Sequence, residues 1–73
     1  MNRLSQINQV DAKTFNSQYP IGTEVHYQPV TGIDGYERTT IRSDAWALGH
    51  GEVVVKVVGR SGGVAISNLF VER

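Results

Sequence analysis

The 73-residue sequence contains no cysteine. Disulfide bonds and thiolate-ligated metal sites are therefore excluded, and a reducing compartment is the default expectation. A net charge is also missing, because seven lysines and arginines offset seven aspartates and glutamates. The composition therefore gives no signal of a strongly anionic partner such as duplex DNA.

A long apolar segment is absent as well. The valine-rich run at residues 53–58 is too short to span a membrane. The polar first nine residues, Met-Asn-Arg-Leu-Ser-Gln-Ile-Asn-Gln, lack the apolar centre of a signal peptide. We therefore expect a cytoplasmic protein with no membrane partner.

The residue spacings of common catalytic and metal sites are missing too. His26 and His50 are the only histidines, and neither belongs to a His-x₃-His or His-Glu-x-x-His pattern. A nucleophile elbow, a dinucleotide fingerprint and paired carboxylates for hydrolysis are also absent. We therefore expect a protein without catalytic residues, metal or cofactor.

The strongest structural pattern is a β-hairpin in the last third of the chain. Five of the six residues from Val53 to Val58 are valine, which favours a buried strand. Residues 59–63, Gly-Arg-Ser-Gly-Gly, predict a tight turn into a partner strand at 64–66. A phosphate-binding loop is the less economical interpretation, because such loops lead into a helix rather than a strand.

The rest of the chain alternates short apolar patterns with turn signals. Asp11 is a typical N-cap for a short helix that Pro20 ends. Residues 43–48 favour an irregular or bulged extended stretch. Residues 1–10 fit either a frayed helical turn or a disordered tail. Further strands are predicted at 24–28, 36–43 and 70–71, the last after a 3₁₀ turn over 67–69.

About five short antiparallel strands in so small a chain predict a mainly β fold, a small SH3-like barrel with a short N-terminal helix. We expect a polar tail at residues 1–10 and a single barrel domain at 11–73. The ending, residues 66–71, resembles the end of SH3 domains, where a 3₁₀ turn precedes the last strand. The aromatic tracts and acidic loop that bind proline-rich peptides in SH3 domains have no counterpart. Pro29 predicts an edge strand, and a small domain with an edge strand can dimerise, so the sequence leaves the oligomeric state undecided.

A longer resemblance covers roughly residues 19–69. The chain is similar to a family of small, functionally uncharacterised bacterial and phage-associated proteins, which suggests a mobile-element origin and transfers no functional residues. The motifs are Tyr19-Pro20-x-Gly22-Thr23-x-Val25, then Thr40-x-Arg42-Ser43-x-Ala45-Trp46-x-Leu48-Gly49-x-Gly51-x-Val53-Val54-x-x-Val57, and Gly62-Gly63-Val64.

The single tryptophan makes residues 38–51 the candidate interaction segment. Tryptophan and arginine dominate the energetics of protein interfaces, and Arg42 precedes Trp46 by four residues. The structural alternative is that Trp46 closes one end of the core while Arg42 is solvated. The candidate partner-binding residues are Arg38, Arg42, Trp46, His50 and Arg60.

A binding function is therefore the main hypothesis, with a host or phage protein as the partner. The alternative is single-stranded nucleic acid, because residues 38–60 carry four cations against two acids and Tyr27, Tyr36 and Trp46 could stack on bases. An oligomeric small-barrel enzyme, similar to plasmid-type dihydrofolate reductases, is the third. Their Val-Gln-Ile-Tyr segment would fall at Val64-Ala65-Ile66-Ser67, where both polar members are missing.

Overall fold

The computed structural model describes residues 4–29 and 35–72. Within these residues the fold is mainly β, with seven strands in two antiparallel sheets and one short α-helix. The elements in chain order are β1 Leu4–Gln6, α1 Ala12–Gln18, β2 Glu24–Tyr27, β3 Glu37–Thr40, β4 Trp46–Ala47, β5 Val53–Val55, β6 Val64–Ala65, a 3₁₀ turn Ile66–Asn68 and β7 Leu69–Glu72.

The first sheet has the strand order β1-β7-β2-β3 and joins the two ends of the chain. In the register of β1 and β7, Leu4 lies opposite Glu72 and Gln6 opposite Phe70. Ile7 follows β1, donates its N–H to the carbonyl of Leu69 at 3.0 Å, and is 3% exposed.

The expectation of a tail or a frayed helix is therefore wrong for residues 4–7. The three-residue spacing of Leu4 and Ile7 resembles a helical repeat, and the strand that pairs with β1 lies at the far end of the sequence. Local pattern alone gives no signal of such a partner. Residues 1–3 of the predicted tail lie outside the described residues.

The second sheet has the order β4-β5-β6, and an isolated bridge between Ile41 and Val57 connects it to the first. Two backbone hydrogen bonds flank the bridge, from Arg42 N–H to the Lys56 carbonyl at 2.9 Å and from Val58 N–H to the Thr40 carbonyl at 3.0 Å. β3 and β4 thus form one bent arm of a long hairpin whose other arm contains β5.

The bend at residues 43–45 is stabilised by side chains in place of the ladder. The Asn16 side chain accepts from Ala45 N–H at 2.6 Å and donates to the Ala45 carbonyl at 3.3 Å. Ser43 Oγ accepts from Lys56 N–H at 3.1 Å. The irregular extended stretch predicted for residues 43–48 is confirmed at 43–45, whereas Trp46 and Ala47 within it form the regular strand β4.

The buried core lies between the two sheets and is covered at one end by α1. Val53, Val55 and Val57 alternate into this core, as strand periodicity requires, and each is at most 3% exposed. Phe15 of α1 is fully buried, with its ring centroid 5.1 Å from that of Tyr19. The other buried members are Ile7, Val25, Ile41, Ala45, Val64, Ile66 and Leu69.

Asp11 begins the helix as the sequence predicted. Its Oδ1 accepts from Thr14 N–H at 2.7 Å, and hydrogen bonding to Thr14 lowers the pKa of this carboxyl below its usual value. Within the described residues, no helix has the length and apolar character needed to cross a membrane.

The mainly β class and the short helix are confirmed, but the strands number seven rather than about five. The difference arises from β1 and from the bend that separates β3 from β4. Among the described residues the two sheets do not close into a barrel. The 3₁₀ turn between β6 and β7 starts one residue earlier than predicted.

Candidate functional site

Arg42 holds the turn that follows β5. Its Nε donates to the carbonyl of Val57 at 3.1 Å, and its Nη2 donates to the carbonyl of Arg60 at 2.8 Å. The guanidinium thereby bonds two backbone carbonyl groups of the turn at residues 57–60. This side chain has a structural role in the free protein.

Arg60 is held by two groups of the first sheet. Its Nη2 lies 2.5 Å from Glu37 Oε2, and its guanidinium carbon lies 5.0 Å from the ring centroid of Tyr27. The hydrogen bond to Glu37 raises the pKa of Arg60. Charge pairing and the aromatic face both favour this position. The structure therefore brings Arg42 and Arg60 together, as parts of one intramolecular network.

Arg38 is the predicted partner-binding residue that lies on a strand of the first sheet. It lies on β3 with its side chain 61% exposed, and its Nε is 3.6 Å from Glu24 Oε2. Both residues line an open groove of about 330 Å³, together with Thr39, Thr40 and Val58. Such an exposed and long ion pair contributes little to stability.

The positive excess counted over residues 38–60 is reduced by acids from outside that segment. Glu24 pairs with Arg38, and Glu37 pairs with Arg60. The predicted stacking aromatics are also divided, because Tyr27 contacts Arg60, Tyr36 packs edge-on against Phe70, and Trp46 belongs to the other sheet. The side chains proposed for nucleic acid thus do not form one basic, aromatic strip.

Trp46 lies on the outer face of the second sheet, away from the core. It pairs with Val54, which in turn pairs with Ala65. A Cβ added to Gly63 would be 3.0 Å from Trp46 Cη2 and 3.1 Å from Val54 Cγ2, so the indole and the valine both lie over that glycine. Val54 is 5% exposed although it is not part of the core cluster. The indole therefore covers an apolar spot on the outside of the sheet.

Strand alternation extends this surface along both arms of the hairpin. Leu48 follows Trp46 by two residues, and its N–H donates to the Glu52 carbonyl across the hairpin at 2.7 Å. Trp46 is 38% exposed and Leu48 37% exposed. We call this surface the Trp46 face, and by alternation it consists of Trp46, Leu48, Glu52, Val54, Lys56 and Ala65.

The two histidines belong to different sheets of the fold. His50 is exposed in the turn between β4 and β5, at one end of the Trp46 face. His26 lies on β2, with Nε2 buried 3.4 Å from Glu72 Oε1. Among the described residues, no group of three potential metal-ligating side chains comes together.

The five predicted partner-binding residues therefore occupy different places. Arg42 and Arg60 are joined in the network, Arg38 lines the groove, and Trp46 and His50 lie on or beside the Trp46 face. Sequence reasoning missed Leu48 and Val54. The two-residue alternation of a strand could have predicted both, since Leu48 follows Trp46 by two residues and Val54 alternates with the core valines.

Comparison with protein-family models gives no match for this chain. Searches of the curated proteins and of the solved structures also give no match. The resemblance to bacterial and phage-associated proteins stays a prediction from sequence motifs, and function must be argued from the surface itself.

Proposed function

We propose that this chain is a non-enzymatic binding module that contacts another protein through the Trp46 face. The observation that carries the proposal is a partly exposed tryptophan held in place over Gly63 and Val54, beside an exposed leucine. Large side chains that are ordered before binding lose little entropy in a complex, and tryptophan is enriched among the residues that dominate interface energies.

The architecture proposed for the module is a small SH3-like barrel. It is supported by the 3₁₀ turn between β6 and β7 and by the bridge that joins the two antiparallel sheets. Small barrels of this kind carry their functions on surface faces rather than in an interior pocket. The partner we propose is a host or phage protein in the cytoplasm, in keeping with the mobile-element origin that the sequence motifs suggest.

Binding of single-stranded nucleic acid is the second candidate, and the groove beside Arg38 favours it. Arg38 is largely exposed there, and Tyr36, two residues earlier, is 40% exposed. An exposed cation near an exposed aromatic ring is the minimal arrangement for backbone attraction and base stacking. This candidate uses the first sheet, whereas the protein-binding candidate uses the second.

An affinity capture from a lysate of the source cells, followed by direct titration of the captured protein, tests the proposal. Leu48→Glu places a charge on the Trp46 face, and Ile21→Glu makes the same change at an apolar residue that is 60% exposed and lies away from the face. We expect the wild type and Ile21→Glu to retain one protein that Leu48→Glu binds at least about tenfold more weakly.

The two candidates give different results in this experiment. Capture that is equal for Leu48→Glu and Ile21→Glu would contradict the use of the Trp46 face. Capture that disappears on nuclease treatment, and that Arg38→Ala abolishes, would favour nucleic acid. Binding should then also weaken steeply with salt, because phosphate contacts release counterions.

A further inference from the structure

The Trp46 face carries an ordered sequence of charge along β5. Val53, Val55 and Val57 point into the core, so Glu52, Val54 and Lys56 lie on the outer side. The acid and the base are each two residues from Val54, which places them about 7 Å from it in opposite directions. Among the described residues, no ion pair engages Glu52 or Lys56. The face is therefore acidic at one end, apolar at its centre and basic at the other.

This order is complementary to itself under a twofold rotation. An axis in the plane of the face, perpendicular to β5 at Val54, reverses the strand direction in a second copy. Glu52 then lies opposite Lys56 of the second copy, and the reciprocal pair forms on the other side of the axis. Trp46, which is level with Val54 in the register, meets Trp46 of the second copy. Such a contact is isologous and closes at two chains.

We infer that a second copy of this chain packs on the Trp46 face of the free protein. The inference rests on the proposed function in taking this face as the contact surface. Face-to-face packing is favoured over strand addition at β4, because Asn16 occupies both backbone polar groups of Ala45 just before that strand. A second copy supplies an apolar centre, a base for Glu52 and an acid for Lys56 without any further element.

The small size of the face indicates a weak dimer. The face is three strands wide and at most five residues long, along residues 52–56, so it covers no more than roughly 14 by 17 Å. A standard interface uses about 800 Å² per partner, about a sixth of the 4678 Å² surface of this protein. The Trp46 face is smaller than that, and interfaces below the standard size belong mostly to weak, transient complexes, so we expect a reversible dimer. An outside partner for this face competes with the second copy.

Sedimentation velocity over about 5–500 µM, with a charge-reversal cycle, tests the inference. Glu52→Lys and Lys56→Glu each place like charges opposite one another, and each should weaken the dimer at least about tenfold. The double variant restores both ion pairs with their charges exchanged. Its dimer dissociation constant should therefore lie within about threefold of the wild-type value. Lys13→Glu, at an exposed position of helix α1, changes the net charge as Lys56→Glu does and should leave the dimer intact.

The outcomes separate this inference from the proposed function. A wild-type protein that stays monomeric, or a double variant as weak as the single variants, overturns the second copy as the occupant. Lysate capture that depends on Leu48 would then still support an outside partner. Charge rescue in the double variant supports the dimer whether or not a lysate protein is captured. Circular dichroism of each variant verifies that the fold is retained.

Discussion

At the scale of single residues, the position of a charge in the sequence did not reveal whether it was available for binding. Arg42 and Arg60 both satisfy groups within the protein, whereas Arg38 has one long ion pair and remains largely exposed. The partners of Arg60, Glu37 and Tyr27, are more than twenty residues away in the sequence. The predicted arginines therefore differ in their availability, and the difference lies in tertiary contacts.

The contact between Trp46 and Gly63 makes a prediction at the same scale. In Gly63→Ala the new Cβ would lie about 3 Å from the indole and from Val54, so the ring must move outward. We expect a loss of about 1 kcal/mol in the free energy of unfolding, at the low end for overpacked sites because the indole is partly exposed and can shift. Because Trp46 is the only tryptophan, its fluorescence emission should shift to longer wavelength.

Gly62→Ala is the matched control for this change. Gly62 has no atom within 4 Å of its added Cβ, and neither glycine has a positive φ. The control should keep the wild-type emission and stability, or gain slightly through a less flexible unfolded chain. Equal spectra for the two variants would show that the indole does not rest on Gly63.

At the scale of elements, the bend between β3 and β4 determines where the Trp46 face lies. The strand ladder stops at residues 43–45, and the Asn16 side chain takes up the backbone groups of Ala45 from helix α1. A short helix thereby fixes the position of a two-residue strand. The sequence indicated the bend, because six residues between β signals are too few for a helix. It did not indicate that Asn16 of the helix stabilises the bend.

Asn16→Ala tests the contact between these elements. The variant leaves the N–H and the carbonyl of the buried Ala45 without their protein partner, which costs about 1–3 kcal/mol in the free energy of unfolding. The higher helix propensity of alanine offsets only a few tenths of this loss. Urea denaturation followed by circular dichroism measures the difference.

Ser17→Ala removes a polar side chain from the next, exposed position of the same helix. It should change the unfolding free energy by no more than about 0.5 kcal/mol. A loss of stability as large as that of Asn16→Ala would mean that helix content, rather than the bridge to Ala45, accounts for the effect.

At the scale of the whole molecule, the N-terminal segment belongs to the fold rather than to a tail. β1 pairs with β7, and Ile7 joins the core cluster at 3% exposure. A chain of this length buries only about 60% of the surface that its unfolded form exposes. Each core side chain therefore contributes a large share of the total stability.

Ile7→Ala should accordingly reduce the free energy of unfolding by about 2–5 kcal/mol, enough to leave much of the protein unfolded at 37 °C if its stability is ordinary for its size. Asn8→Ala, at the adjacent exposed position, should fall within about 0.5 kcal/mol of the wild type. Thermal unfolding of both variants provides the comparison. An Ile7→Ala protein as stable as Asn8→Ala would restore the description of this segment as a tail.

Residue patterns alone were enough to predict the mainly β class, the valine strand and its hairpin, the capped helix at Asp11 and the 3₁₀ turn before the last strand. Each of these follows from local periodicity or from the chemistry of a turn, which neighbouring residues display. Three further features became visible only in the folded chain. Residues 4–6 form a strand, Arg42 and Arg60 bond groups within the protein, and Trp46, Leu48 and Val54 share an outer face. These features depend on contacts between residues far apart in the chain, and such contacts leave no periodic signal in a single sequence.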